Sequence, residues 1–240
     1  MSDVEKLLST LVETNSALLT EIKALRNDLK TRHLIPSTPL ALKHIAVEES
    51  AQYIRENFPD ILVFLYRHET IKFAASKISF DGLLMEFGVA TGETINQLAK
   101  LRPNNTIFGF DSFKGLPEDW SGSGLMAGSF DRHGDIPAVE KNVQLIHGWF
   151  SDSVPAWRAA HPGKVAYCHI DCDLYSSTVD VFKNIESGFV PGTVIVFDEY
   201  FGFPDWHGGE HKAFMEMLER TGKSYKALAI SHQAFVVQIV

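Results

Sequence analysis

The sequence predicts an α/β protein: a largely parallel sheet with helices on both faces, an antiparallel hairpin at one edge, and a coiled-coil helix in front. Three observations carry this. Residues 4–29 follow an unbroken heptad spacing. Beyond residue 80, short apolar runs alternate with amphipathic stretches, the pattern of strands buried on both faces by helices. The last two apolar runs lie too close together for a crossover and read as a hairpin. Composition agrees with a folded domain plus an appendage: 240 residues, 45% hydrophobic, 22% charged, mean hydropathy -0.03.

The rod comes first. Val4, Leu8, Leu11, Asn15, Leu18, Ile22, Leu25 and Leu29 are spaced alternately four and three apart. With Val4 at d, Leu8, Asn15, Ile22 and Leu29 fall at a, and Leu11, Leu18 and Leu25 at d. A polar a residue such as Asn15 fixes register and strand number at a cost in stability. Glu21 at g and Arg26 at the next e can pair between parallel chains, while Leu7, Val12 and Leu19 widen the apolar face beyond a dimer seam. Residues 1–33 hold five acids and five bases, so the net charge of −8 resides in the remainder. Pro36 and Pro39 are expected to end the rod and open a linker. The domain reading is therefore an oligomerisation helix at 1–33, a linker and helical cap at 34–80, and the main domain at 81–240.

Helical spacing is read at 44–57 and 60–78, the latter from Ile61, Phe64, Leu65, Ile71, Ala74 and Ile78. Strands follow at Leu83–Phe87, Thr106–Phe110, Val143–His147, Val165–Ile170 and Thr193–Phe197, with helices at Thr94–Leu101 and Ser177–Ser187 between. Ala227–Ile230 and Ala234–Val240 form the hairpin. An acidic balance with pI ≈ 5.7 and no basic stripe excludes a nucleic-acid footprint. No apolar run reaches the roughly 18 residues of a membrane span, and the first residues lack a signal-peptide layout. Cys168 and Cys172 are too few for a disulfide framework and read as buried small residues. The expectation is a cytoplasmic, acidic enzyme or binding protein.

Sheets of this kind bind ligands at the carboxyl ends of their strands. After the first main strand comes Glu86-Phe-Gly88-Val-Ala90-Thr-Gly92, whose small residues let the backbone turn tightly against a ligand. After the second comes Asp111, placed as ribose-binding acids are. The glycine spacing is not that of a dinucleotide-binding turn, which disfavours a nicotinamide oxidoreductase. Asp171, Asp198 and Glu199 follow two further strands and gather at one rim. Three clustered carboxylates repel unless a cation or proton intervenes, and oxygen-only donors suit Mg²⁺ or Mn²⁺. Trp120–Ala138 is long and rich in small polar residues, a candidate lid. His133 within it, and His207 shortly after the acids, are candidate general bases. His169, on a strand, reads as packed rather than ligating.

Together, ExGxAxG at 86–92, FDSFKGLP at 110–117, GWFSDSVP at 148–155, HIDCDLYSST at 169–178 and VFDEY at 196–200 resemble the macrocin O-methyltransferase family. The resemblance covers residues 80–221 and leaves out the rod. It implies a Rossmann-like class I methyltransferase sheet, S-adenosylmethionine as cofactor, and methylation of a hydroxyl on a sugar, sugar nucleotide or glycosylated natural product. By position it implies that Glu86, Gly88, Ala90 and Gly92 surround the methionine portion of the cofactor. Asp111 would hold the ribose, Ser112 and Phe113 would lie beside the adenosine, and Gly148, Trp149 and Phe150 near the adenine. Asp171, Asp198 and Glu199 match the family's metal acids, with Asp171 also a catalytic candidate. Ala90 stands where many class I enzymes carry glycine. Two rivals remain open: a metal-independent methyltransferase with a histidine base, and an inactive coiled-coil assembly protein. The expected partners are a small hydroxylated molecule and further copies of the chain, with neither nucleic acid nor membrane.

Overall fold

The computed structural model describes the backbone of residues 3–34 and 37–240, with side chains at 6–8, 10–26 and from 37 onward. It forms two compact units, 1–44 and 45–240. In the first, α1 (Asp3–Leu34) is one uninterrupted helix, as a sequence without internal Gly or Pro allows. Leu8, Leu11, Leu18, Ile22 and Leu25 are all exposed along it. Val4 and Leu29, the outermost heptad positions, and Pro36 lie outside the described side chains. Pro39 is not linker: α2 (Thr38–Asn57) begins one residue before it, and proline is well accommodated in a first helical turn, where its missing N–H has no partner to lose.

In the second unit the predicted helix at 60–78 divides. Leu62–Phe64 is a strand, β1, and α3 (Arg67–Ser76) follows it. The reason lies in the local sequence. Ile61 and Val63 are β-branched and Phe64 is aromatic, and the segment gains a ladder by running parallel to the penultimate strand. The remaining strands are β2 (Leu83–Phe87), β3 (Ile107–Asp111), β4 (Val143–His147), β5 (Val165–Ile170), β6 (Phe189–Phe197), β7 (Tyr225–Ser231) and β8 (Ala234–Ile239). Helices α4 (Glu93–Leu101), α5 (Phe150–Ala160), α6 (Tyr175–Ile185) and α7 (Glu210–Thr221) connect them. The eight strands stand in the order β1-β7-β8-β6-β5-β2-β3-β4, parallel except where β8 pairs antiparallel with β6 and β7.

The cores follow from the pleat. Met85 and Phe87, Cys168 and Ile170, and Ile195 and Phe197 point to one face, where Val181, Phe182 and Ile185 of α6 and Phe214 of α7 cover them. Leu84, Tyr167, Val194 and Val196 point to the other, against Ile95, Leu98 and Ala99 of α4 and Ile71 of α3. All six residues of β5 are buried, which explains its continuous apolar reading. The chain leaves β2 for β3 and β4 on one side, then returns to β5 on the other. That reversal opens a crevice at the carboxyl ends of β2 and β5, where open sheets of this type take ligands.

Candidate active site

The crevice is a cavity of about 470 Å³. Its floor is the turn after β2. Gly88, Ala90 and Gly92 have φ of 93°, 45° and 81°, all left-handed, so small residues are needed here for conformation as much as for space. Gly88 and Ala90 line the cavity. Asp111, at the end of β3, ties this turn down: Oδ2 accepts the N–H of Val89 and of Ala90, both at 2.8 Å, and Oδ1 accepts the Phe113 N–H at 2.6 Å. Asp111 also lines the cavity, and a carboxylate that accepts about four hydrogen bonds keeps about one position for a ligand hydroxyl. Ser112 lies beside it, and Gly148 and Trp149 after β4, with Phe150 opening α5, form the adjoining wall.

Three residues of the expected cofactor set do not line the cavity. Gly92 caps α4. Phe113 is buried in the core, its ring 5.6 Å from that of His147. Glu86 is buried beneath the turn, where Oε1 accepts the Thr94 hydroxyl at 2.8 Å and Oε2 pairs with His169 Nδ1 at 3.0 Å.

The acids form the opposite wall. Asp171 and Asp173 follow β5, Asp198 and Glu199 follow β6, and all four line the cavity. Their donor atoms fall into two groups, each within 4.8 Å: His169, Asp171 and Asp198 in one, Asp171, Asp173 and Glu199 in the other. Asp173 adopts φ 62°, a conformation uncommon outside glycine. Glu199 Oε2 is buried without a hydrogen-bond partner among the described residues. Burial, then Asp198 and Asp171, push the Glu199 carboxyl well above its usual range. Burial, then Asp198, raise Asp171 to about 7 against the pull of His169 and Arg67. Asp198 has the reverse balance: burial opposes its charge, but the nearby His169 and the bond to Glu199 hold it at about 2.

Two cations face these acids, and neither belonged to the expected set. His169 is fully buried, with Nδ1 on Glu86 and Nε2 3.6 Å from Asp198 Oδ1. Burial disfavours its charged form, yet the nearby Asp198 and the bond to Glu86 outweigh it and raise its pKa to about 10. Arg67, opening α3, places Nη2 2.5 Å from Asp171 Oδ2 and Nε 2.6 Å from Asp198 Oδ1. The only sequence signal for either was the need of clustered carboxylates for a counter-charge.

The expected lid contributes Trp120, Phe130 and Arg132 to the cavity, with Leu116 and Glu118 just before it. His133 does not line it; its side chain is exposed and pairs with Asp131. His207 does not line it either, and stacks on buried Trp206 with ring centroids 3.6 Å apart. Cys168 and Cys172 are free and buried.

Residues 85–200 match the family described as a methyltransferase domain. The chain is similar to known methyltransferases. It is 28% identical, over 58% of its length, to a tetracenomycin-C rhamnosyl 4'-O-methyltransferase of Streptomyces olivaceus. It is 27% identical, over 42% of its length, to the demethyldecarbamoylnovobiocin O-methyltransferase of Streptomyces niveus. The chain spans 62% and 44% of the lengths of these two relatives. The crystal structure of CalS11, a calicheamicin methyltransferase, shares the fold with a TM-score of 0.62, covering 86% of this chain and 95% of that one at 24% identity. Among the described residues, no helix is long and apolar enough to cross a membrane.

Proposed function

We propose that this protein transfers a methyl group from S-adenosylmethionine to a hydroxyl of a glycosylated small molecule, with a divalent cation at the acid rim. The observation that carries the reading is one cavity with the Gly88–Gly92 turn on one side and Asp171, Asp173, Asp198 and Glu199 on the other. S-adenosylmethionine, when bound, supplies an electrophilic methyl; the chain must bind it, aim it and manage the acceptor's proton. The turn, Asp111 and the Gly148–Phe150 wall form the cofactor half. Asp171, Asp198 and Glu199 would hold Mg²⁺ or Mn²⁺, with Asp173 as a further donor. A hard cation suits those oxygens and would favour the alkoxide of the acceptor. Asp171 takes the role of proton acceptor in preference to His133 or His207, since it lines the cavity and they do not.

Charge narrows the acceptor. The lining carries seven carboxylates, the four rim acids with Asp111, Glu118 and Asp180, against only Arg67 and Arg132. Arg67 is committed to two of those acids. Apart from the proposed cation, a diphosphate would meet these acids and only the Arg132 guanidinium, whose Nε already donates to the Asp135 carbonyl, so a neutral or cationic glycoside fits better than a sugar nucleotide. One of the two relatives is named for methylating a rhamnosyl-bearing compound.

Calorimetry should show S-adenosylhomocysteine binding, weakened at least roughly tenfold in Asp111→Ala, which removes a charged acceptor and frees three backbone N–H groups. Incubation with neutral glycosides and with nucleotide sugars should give a mass gain of one methyl in the former. Binding of NAD with no response to S-adenosylhomocysteine would overturn the reading.

The exposed heptad stripe of α1 supports a second part of the proposal: residues 1–33 assemble copies of the chain, 34–80 form linker and cap, and 81–240 carry the transferase. Light scattering should show an oligomer that shrinks on deletion of 1–33. Asn15→Ile should raise the melting temperature while broadening the distribution of oligomer sizes. An assembly unchanged by the deletion would refute this part.

A further inference from the structure

Arg67 is the one group in the acid wall that comes from outside the strand ends. It heads α3, 104 residues before Asp171, and reaches back across the crevice. Its guanidinium does not clamp one carboxylate with two parallel bonds. It splits instead, Nη2 to Asp171 and Nε to Asp198, and so bridges acids on neighbouring strands. The atoms it holds, Asp171 Oδ2 and Asp198 Oδ1, belong to residues that could ligate a metal. Nearly half of the Arg67 side chain remains exposed, so it has room to turn outward, whereas Asp198 is almost wholly buried and cannot follow. Glu199 Oε2 keeps its acceptor capacity unused in the same wall.

We infer that Arg67 is a displaceable internal cation: it neutralises the acid rim of the metal-free protein, and a divalent ion enters only as the guanidinium swings away. This rests on the metal site of the proposed function. The physical ground is simple. One positive charge bridging two carboxylates offsets their repulsion, and a second, doubly charged ion on the same oxygens would be repelled by the first at close range. Arg67 therefore sets the affinity of the site. It holds the carboxylates at a bridging distance before metal arrives, and it sets a threshold concentration below which the rim stays filled by protein. It is a positioning residue, not a catalytic one.

The test is titration of the full-length protein with Mn²⁺, reading free Mn²⁺ by electron paramagnetic resonance and the melting temperature in parallel. Arg67→Gln should bind Mn²⁺ at least roughly tenfold more tightly, the scale on which groups around a metal site alter its affinity. Without metal it should melt lower than the parent, and saturating Mn²⁺ should raise its melting temperature by more than that of the parent. Arg67→Lys keeps the charge but replaces the fork by a single ammonium, and should lie between the two. Equal affinity in all three proteins would overturn the inference. So would absence of Mn²⁺ binding in every one, which would leave Arg67 as a fixed ion pair. S-adenosylhomocysteine titration of the same samples separates the two claims. Cofactor binding without an Arg67 effect sinks only this inference, and an Arg67 effect without cofactor binding sinks only the methyltransferase reading.

Discussion

Asp198→Asn is expected to abolish most turnover and to destabilise the protein, whereas Glu199→Gln, one residue on, should do only the first. Asp198 faces two cations, the fully buried His169 and Arg67. An amide keeps the shape but removes the charge, leaving two positive groups with one carboxylate fewer between them. Removing one partner of a buried ion pair costs about 3–5 kcal/mol. For a unit of this size that lowers the melting temperature by about 6–20 °C. Glu199 forms no ion pair among the described residues: its carboxyl bonds to Asp198 and is held well above its usual range, so an amide of the same volume, still a donor, leaves the packing as it was. Its melting temperature should stay within about 2 °C. Both variants lose a ligand at the rim, and both should lose methyl transfer by on the order of 10²–10³-fold, the effect of deleting one preorganised charge-stabilising group. S-adenosylhomocysteine affinity should change little in either, because neither residue belongs to the β2 turn. Full activity of Glu199→Gln in excess chelator would remove the cation from the mechanism.

Strands were legible because a parallel sheet buries both faces, and runs such as Val165–Ile170 carry that signature whatever surrounds them. The stretch 60–78 misled because a three-residue edge strand is too short to show a period, and its apolar residues fit helical spacing by chance. At the site, position along the chain was informative and orientation was not. Glu86 sits in the motif expected to bind the cofactor, but it pairs in register with His169, and the pleat turns both side chains into the interior. The acids were legible from their place after β5 and β6. Their counter-charges were not, since any of 22 lysines and arginines could have answered, and Arg67 lies outside every motif. Asp173 is marked as part of the rim by its left-handed backbone and its place beside Asp171 and Glu199, which its position in the sequence does not show.

The other large effect is expected at Gly88, and there the cause is backbone rather than charge. A Cβ at this position would stand 1.8 Å from the Asp171 carbonyl oxygen and 2.8 Å from its carbon, both main-chain atoms that no side-chain rotation can clear. The same place is where β2 and β5 close on each other, with the Asp171 N–H donating to Phe87 O at 2.9 Å. Gly88→Ala must therefore push the two strand ends apart or rotate a residue whose φ of 93° alanine rarely adopts. Overpacking costs about 1–3 kcal/mol and left-handed backbone about 1–2 more. We expect a melting temperature lower by roughly 4–20 °C. S-adenosylhomocysteine binding should be lost as well, because the shift carries the turn and the acid wall out of register together. Ala90 provides the internal control two residues away. It is also left-handed, at φ 45°, but it is exposed, so its methyl meets conformational cost without collision. Ala90→Gly should relieve that cost, offset in part by glycine's greater freedom when unfolded, and change stability by no more than about 1 kcal/mol. If calorimetric melting found Gly88→Ala as mild as Ala90→Gly, the close approach of β2 to Asp171 would be refuted, and with it the physical link between the cofactor turn and the acid rim.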